Sequence, residues 1–299
     1  MNIYTIIVSY NGIQWYDRCL GSLRKSNLKT NVIVIDNAST DASAGHIKAN
    51  YPEVNLIANN SNRGFAKANN IGIKKAMENN ADYIFLLNQD AWIEDDTIGE
   101  LINTFKEKDS IGIVSPIHLN GSNTGLDIGF ARCLGPDFIS DAYLGKLRKY
   151  YSVPYVNAAA WMLSRQCVEK IGGFDTLLFT HYGEDNNYCQ RLQYHKLQLI
   201  VNTQARIFHD REQRMSVYDD HREQWRKILE WEELAEQWSD INNDYDFCQL
   251  RKRYRQKRIK SILLGNKTAS KQYTQILNTI TNVEQSRKIN KTEGRHWIS

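Results

Sequence analysis

Three polar clusters in the N-terminal third of the chain each follow a short apolar run: Ser9-Tyr10-Asn11-Gly12, Asp36-Asn37-Ala38-Ser39-Thr40-Asp41 and Asn88-Gln89-Asp90. Two of them end in carboxylates, groups that accept hydrogen bonds and hold cations. Further along, two acids stand together at Glu184-Asp185 after Gly183, and His209 closes another apolar run. These are residue types for ligand binding, cation binding and proton transfer. There is no Gly-x-Gly-x-x-Gly after the first apolar run and no Gly-x-x-x-x-Gly-Lys-Ser/Thr anywhere. The phosphate-cradling glycines of dinucleotide oxidoreductases and P-loop nucleotidases are therefore missing, and a nucleotide must be held differently.

The first 115 residues alternate β-branched runs with amphipathic stretches, the pattern of βαβ units around a parallel sheet. The pattern predicts strands at Tyr4–Val8, Val32–Ile35, Val54–Ala58, Tyr83–Leu87 and Ile111–Val114. Helices are expected at about Trp15–Lys25, Ala42–Tyr51, Gly64–Asn79 and Asp95–Lys108. Ligands of such sheets bind beyond the carboxyl ends of the strands, so the three polar clusters should share one rim. Residues 116–153, rich in Gly, Asn and Asp, read as irregular strands and long loops. Helices return at Arg165–Ile171 and Asp185–Lys196, followed by two short strands, Gln198–Asn202 and Ala205–Phe208. Beyond them His221, Trp225, Ile228, Trp231, Ala235 and Trp238 form one helical face, for core packing or a dimer seam. A basic helix is expected at about Phe247–Leu264, and a polar end past Gly265.

Of the 299 residues, 41% are hydrophobic and 24% charged, with seven Trp and sixteen Tyr, which excludes a disordered or collagen-like chain. No run approaches the roughly 20 apolar residues of a membrane span, and Ile3–Val8 is too short for a signal peptide, so a cytosolic chain is expected. Five scattered cysteines without a Cys-x-x-Cys pair argue against a disulfide framework or structural zinc and for a reducing setting. The formal charge of +4 is uneven: residues 241–299 hold 13 Lys/Arg against 4 Asp/Glu, and the first 240 hold 25 against 30. Two regions with different partners are implied.

Six segments in consistent order carry a resemblance over about residues 3–210. They are Thr5-Ile6-Ile7-Val8-Ser9-Tyr10-Asn11, Val34-Ile35-Asp36-Asn37-Ala38-Ser39-Thr40-Asp41, Asn62-Arg63-Gly64-Phe65-Ala66, Leu87-Asn88-Gln89-Asp90, Gly172-Gly173-Phe174-Asp175 and Gly183-Glu184-Asp185. The chain resembles the family 2 glycosyltransferases of the GT-A fold and, within them, the bacterial rhamnosyltransferase-like branch that builds surface polysaccharides. The resemblance implies that Asp36 accepts the imide N–H of a uracil or thymine, where the residue alone would read as a turn cap. It places Ser9 and Tyr10 beside the same base, by backbone contacts and ring packing respectively, counts Asn11 among the nucleotide contacts and lays Asn62, Arg63 and Gly64 along the nucleotide, with Arg63 or Lys67 adding charge. Asn88-Gln89-Asp90 takes the place of the family's Asp-x-Asp motif, with Asn88 at the first acidic position and Gln89 beside the nucleotide. Asp90 then holds Mg²⁺ or Mn²⁺, with His209 completing the shell, as one carboxylate plus substrate phosphates and water suffices. Spacing alone reads Asp185 as helix N-terminal charge; the resemblance makes it the general base, with Glu184 assisting. Trp161, more often a core residue type, is set near the acceptor.

The expected fold is α/β: a single Rossmann-like GT-A domain with a mostly parallel sheet over residues 1–215, followed by a helical extension over 216–299. Residues 1–115 would form its nucleotide-binding half and 116–215 its acceptor-binding half. The implied activity is inverting, metal-dependent transfer of a sugar from a UDP- or dTDP-sugar, with dTDP-rhamnose favoured, to a cell-surface glycan or lipid-linked oligosaccharide. Nucleotidyl transfer on the same fold and a non-catalytic sugar-nucleotide-binding scaffold are the alternatives. The basic segment 251–260 suits peripheral contact with the inner face of a cytoplasmic membrane, against the alternative of a solvated helix face. Nucleic acid is not an expected partner, since no recognised module accompanies the charge.

Overall fold

The computed structural model describes residues 1–180, 182–211 and 233–298. Strands and helices alternate through β1 (Ile3–Ser9), α1 (Ile13–Lys25), β2 (Asn31–Asp36), α2 (Ser43–Asn50), β3 (Asn55–Ala58), α3 (Gly64–Glu78) and β4 (Tyr83–Leu87). β1 pairs in parallel with β2 and β4, and β2 with β3. The strands read as continuous apolar runs because both faces are covered. Ile6, Ile33, Ile35, Ile84 and Leu86 face one core, and Ile7, Val34, Phe85 and Leu87 face the other. The register sets Ser9 beside Asp36 and Asp36 beside Ala58, so the polar clusters leave the sheet along one rim.

The second half adds β5 (Ala91–Ile93), α4 (Thr97–Glu107), β6 (Ile111–Asn120), α5 (Ile128–Ala131) and α6 (Pro136–Tyr143). It continues with β7 (Tyr150–Ser152), β8 (Ala160–Ser164), α7 (Arg165–Ile171), α8 (Glu184–Tyr194) and β9 (Gln198–His209). The sheet runs β3-β2-β1-β4-β8-β6-β9-β5, with β7 also on β9. The pairings give β1, β2, β3, β4, β6 and β9 one direction and β5, β7 and β8 the other, a mixed but mostly parallel sheet. β6 runs on to Asn120, into residues expected to be irregular strands and loops, and β9 is one strand where two were predicted. The register jumps from Pro116 opposite Asn202 to Ile117 opposite Arg206, a bulge that absorbs the polar interruption.

β8 is a central strand that the periodicity did not predict, and it corrects the expectation for Trp161. That side chain is 0% exposed. Its ring stacks on Phe174 at 6.1 Å and lies 5.7 Å from Tyr188, inside the core rather than beside an acceptor.

The C-terminal helices are α9 (residues 233–239), α10 (Phe247–Leu263) and α11 (Lys267–Asn290). The 24-residue α11 stands where only a polar end was expected. Its Ile276, Ile280 and Val283, spaced by four and three, pack with Trp238 of α9 in a separate small core. Ala235 and Trp238 of the predicted aromatic stripe are buried; His221, Trp225, Ile228 and Trp231 lie outside the described residues.

Gly172-Gly173-Phe174-Asp175 joins these helices to the sheet. Gly173 N–H donates to the His296 carbonyl at 2.8 Å, and a Cβ on Gly172, whose φ is +84°, would overlap the His296 backbone. Asp175 is buried and accepts hydrogen bonds from Ser286 and from Asn290 Nδ2 (3.1 Å) of α11, and from the backbone N–H groups of Leu177 and Leu178.

If Trp161 is core, Trp161→Ala should cost about 3–5 kcal/mol of stability and Trp161→Phe clearly less. Denaturant midpoints check this; an alanine variant as stable as wild type would return Trp161 to the surface.

Candidate active site

A cleft of about 540 Å³ opens at the carboxyl rim of the parallel strands. Its floor is braced by amides. The Gln89 side chain accepts from the Tyr10 backbone N–H (2.9 Å) and donates to the Tyr10 carbonyl (3.1 Å), and a Cβ on Gly12 would overlap it. Asn11, at φ +49°, accepts the Thr40 N–H at 2.8 Å, while its own N–H donates to Ser39 Oγ. Asn37 is a buried hub: Oδ1 accepts from Arg63 N–H (2.9 Å) and Asn59 Nδ2 (3.2 Å), and Nδ2 donates to Asn62 Oδ1 (2.9 Å). Gly64, at φ +76°, passes so close to the Thr180 carbonyl that a Cβ would overlap it.

Asp36 ends β2 with 4% exposure. Its Oδ2 takes the Ser39 N–H at 3.3 Å, and its Oδ1 has no hydrogen-bond partner. A buried carboxylate oxygen left without a donor is costly, and a ligand N–H would relieve it.

Asp90 and His209, both buried, come together from the ends of β4 and β9. His209 Nε2 lies 3.5 Å from Asp90 Oδ1 and 3.4 Å from Asn88 Nδ2. On the other side of the ring, Nδ1 lies 3.6 Å from Asp127 Oδ2, and Arg211 Nε approaches that same oxygen at 3.1 Å. Asp127 is fixed by capping α5 through the Phe130 N–H at 2.8 Å. Among the described residues no group of three or more His, Cys, Asp or Glu forms a dedicated metal cage. The Asp90–His209 pair therefore fits a cation only as two protein donors, with phosphate and water supplying the rest, the usual habit of Mg²⁺.

Opposite this floor Gly183, at φ +86°, starts α8 and turns Glu184 and Asp185 toward the cleft. Asp185 Oδ2 accepts from Tyr155 Oη at 2.9 Å, and Oδ1 accepts from the Asn186 N–H at 2.9 Å. Burial raises the Asp185 pKa; those hydrogen bonds only partly oppose it. Glu236 of α9 reaches the same wall and accepts from Asn186 Nδ2.

Tyr10, Asn62, Gly64, Asn88, Gln89, Glu184 and Asp185 thus line one cleft, with Asp36, Asp90 and His209 buried next to lining residues. Arg63 and Lys67 are exposed. Asn11 braces the rim from behind. Ser9, expected to meet the base through its backbone, gives its carbonyl to the Asn37 N–H at 2.7 Å, and its hydroxyl pairs with Tyr16 of α1. Tyr155, Arg211, Asp127 and Glu236 were not anticipated, since each is a single residue without a local pattern.

The sequence pattern of the family described as Glycosyl transferase family 2 matches residues 4–172. Among curated proteins, the chain is similar to the dTDP-rhamnosyl transferase RfbF of Shigella flexneri, with 25% identity over 191 residues, 64% of this chain and 62% of that one. The chain thus spans less than two thirds of that relative's length. Among solved structures it resembles GalNAc-T7 with UDP, GalNAc and Mn²⁺, at a TM-score of 0.56 and 17% identity over 70% of this chain and 44% of that one. It also resembles the mannosyltransferase PcManGT from Pyrobaculum calidifontis with GDP-Man and Mn²⁺, at a TM-score of 0.52 and 14% identity over 97% and 72%. At such identities the likeness speaks to the fold, a GT-A fold. With more than half of its length matched by the family's pattern, the chain belongs to glycosyl transferase family 2.

Proposed function

We propose that this family member is a glycosyltransferase that moves a sugar, with inversion and metal dependence, from a dTDP- or UDP-linked donor to a hydroxyl of a cell-surface glycan or lipid-linked oligosaccharide. The observation that carries the reading is the placement of Asp185 across one cleft from Asn88 and Gln89, next to Asp90. In the reaction the acceptor O–H gives its proton to Asp185, its oxygen bonds to C1, and the bond from C1 to the diphosphate oxygen breaks. Tyr155 holds the Asp185 carboxylate in position, and the raised pKa makes that carboxylate a stronger base than a solvated one.

Asp36 Oδ1 takes the imide N–H of a uracil or thymine. Support for thymine comes from the relative named a dTDP-rhamnosyl transferase. Asp90 and His209 are the two residues that would hold a divalent cation, with Asp127 and Arg211 grouped at the Nδ1 side of the imidazole. Such a cation neutralises charge on the departing diphosphate. Arg211, which also lines the cleft, adds a fixed positive charge to the same side. Glu236 sits beside the base on the acceptor side, where it bonds a sugar hydroxyl.

Asp185→Asn should lower transfer by about 10²–10⁴-fold, the span of general-base catalysis, with donor binding retained. Asp90→Ala should lower transfer and weaken its dependence on Mn²⁺. Turnover of dTDP-rhamnose and UDP-sugars, followed by nucleoside diphosphate release, checks both; undiminished transfer in both variants rejects the reading. Release of pyrophosphate would indicate nucleotidyl transfer instead.

Glu236 gives a pH signature. Burial first, then the charge of Asp185, raises its pKa from 4.5 to about 7. Between those values the folded chain binds more protons at this site than the unfolded one, so this site's contribution falls as pH rises through the window. Thermal midpoints of Glu236→Gln should therefore decline less than wild type from pH 4.5 to about 7. Parallel curves would show that Glu236 titrates as a solvated acid.

A further inference from the structure

α10 and α11 form a helical hairpin whose end is built unlike the rest of the chain. Residues 247–283 contain nine Lys/Arg and no Asp or Glu. Arg251 pairs with Glu284, but Lys252, Arg253, Arg255, Arg258 and Lys260 are exposed and form no ion pair among the described residues. The hairpin tip is apolar: Ile259, Ile262, Leu263 and Leu264 are 57%, 55%, 81% and 71% exposed. Four large aliphatic side chains in water at one point cost free energy that nothing in the described chain recovers.

The cations are not arranged for a helix lying flat on a surface. At about 100° per residue, positions 251, 252, 253, 255, 258 and 260 spread around the sides of α10 away from its Leu250–Tyr254 face, while Lys257 lies over the rings of Tyr254 and Tyr273. A collar of long cationic side chains around an apolar end suits end-on contact instead. The aliphatic tip enters the acyl boundary while Lys and Arg reach lipid phosphates around it. Cys248, Arg251, Lys252, Arg255 and Ile259 also border a hollow of about 480 Å³ along α10, open to an anionic head group.

We infer that the α10–α11 tip is a docking point for an anionic lipid bilayer. Nucleic acid fits the charge but not the tip, because Ile and Leu offer no stacking face and the neighbouring Tyr254 and Tyr273 are half-buried. No helix of the described residues is long and apolar enough to cross a membrane, so the contact is peripheral. The inference stands apart from the assignment of the cleft, since it uses none of the cleft residues.

Flotation of the full chain with vesicles tests it. The wild type should float with phosphatidylcholine vesicles containing a third phosphatidylglycerol and stay behind with phosphatidylcholine alone. Leu263→Asp with Leu264→Asp, and separately Arg255→Gln with Arg258→Gln, should each lower binding at least about tenfold, since one lost cation near the surface costs about fivefold. All four positions are exposed, so thermal midpoints and donor binding should stay at wild-type values and certify folding. Absence of wild-type flotation on anionic vesicles overturns the inference. So does full binding by the Leu263/Leu264 variant, or a single-stranded oligonucleotide that binds more tightly than the vesicles and displaces them.

Discussion

The buried carboxylate of Asp175 is the junction on which the rest of the architecture depends. One oxygen receives the N–H groups of the segment leading to α8, and the other receives Ser286 and Asn290 of α11. A carboxylate out of water must be saturated with donors, and this one draws two of them from Ser286 and Asn290, which lie 111 and 115 positions further along the chain. The buried Arg191 guanidinium meets the same strand of backbone through the carbonyls of Ile171 and Gly173. The start of α8, which presents Asp185, is therefore seated against the C-terminal helices as well as the sheet. The same arrangement lets α9 deliver Glu236 to a cleft whose other described lining residues come from the first 211.

Division of labour among polar groups follows from burial. Asn37, Asn11 and Gln89 spend their amides on backbone and so hold the loops after β1, β2 and β4 in one shape. Asp36, Asp90 and His209 stand in the second row, out of solvent, where a charge interacts more strongly with whatever enters. Asp185 and Glu236 share the opposite wall, and each raises the energy of ionising the other. Preorganised acceptors on one side and tuned acids on the other are what a transfer between two hydroxyl-rich ligands requires.

The parallel strands β1 to β4 and their helices could be read from the sequence because both faces of each strand are apolar and each helix repeats at 3.6 residues. β5 and β8 could not. β5 has three residues, and β8 starts at Ala160, the last of three alanines, and takes its strand character from pairing with β4 and β6. α11 hid its stripe among Thr, Asn and Gln, with three apolar contacts carrying a helix of 24 residues. Within the site, residues in contiguous motifs were legible and lone ones were not: Tyr155, Asp127, Arg211 and Glu236 acquire meaning only from neighbours distant in sequence. Nothing in the local sequence of Trp161 records which way its side chain faces; the pairing of β8 with β4 and β6 decides it.

Gly64 leans on the Thr180 carbonyl with no side chain between them. Bare main chain against main chain leaves no rotamer to absorb a displacement, so Gly64 cannot move toward Thr180 without moving that carbonyl. Any side chain at position 64 would have to wedge the two backbones apart.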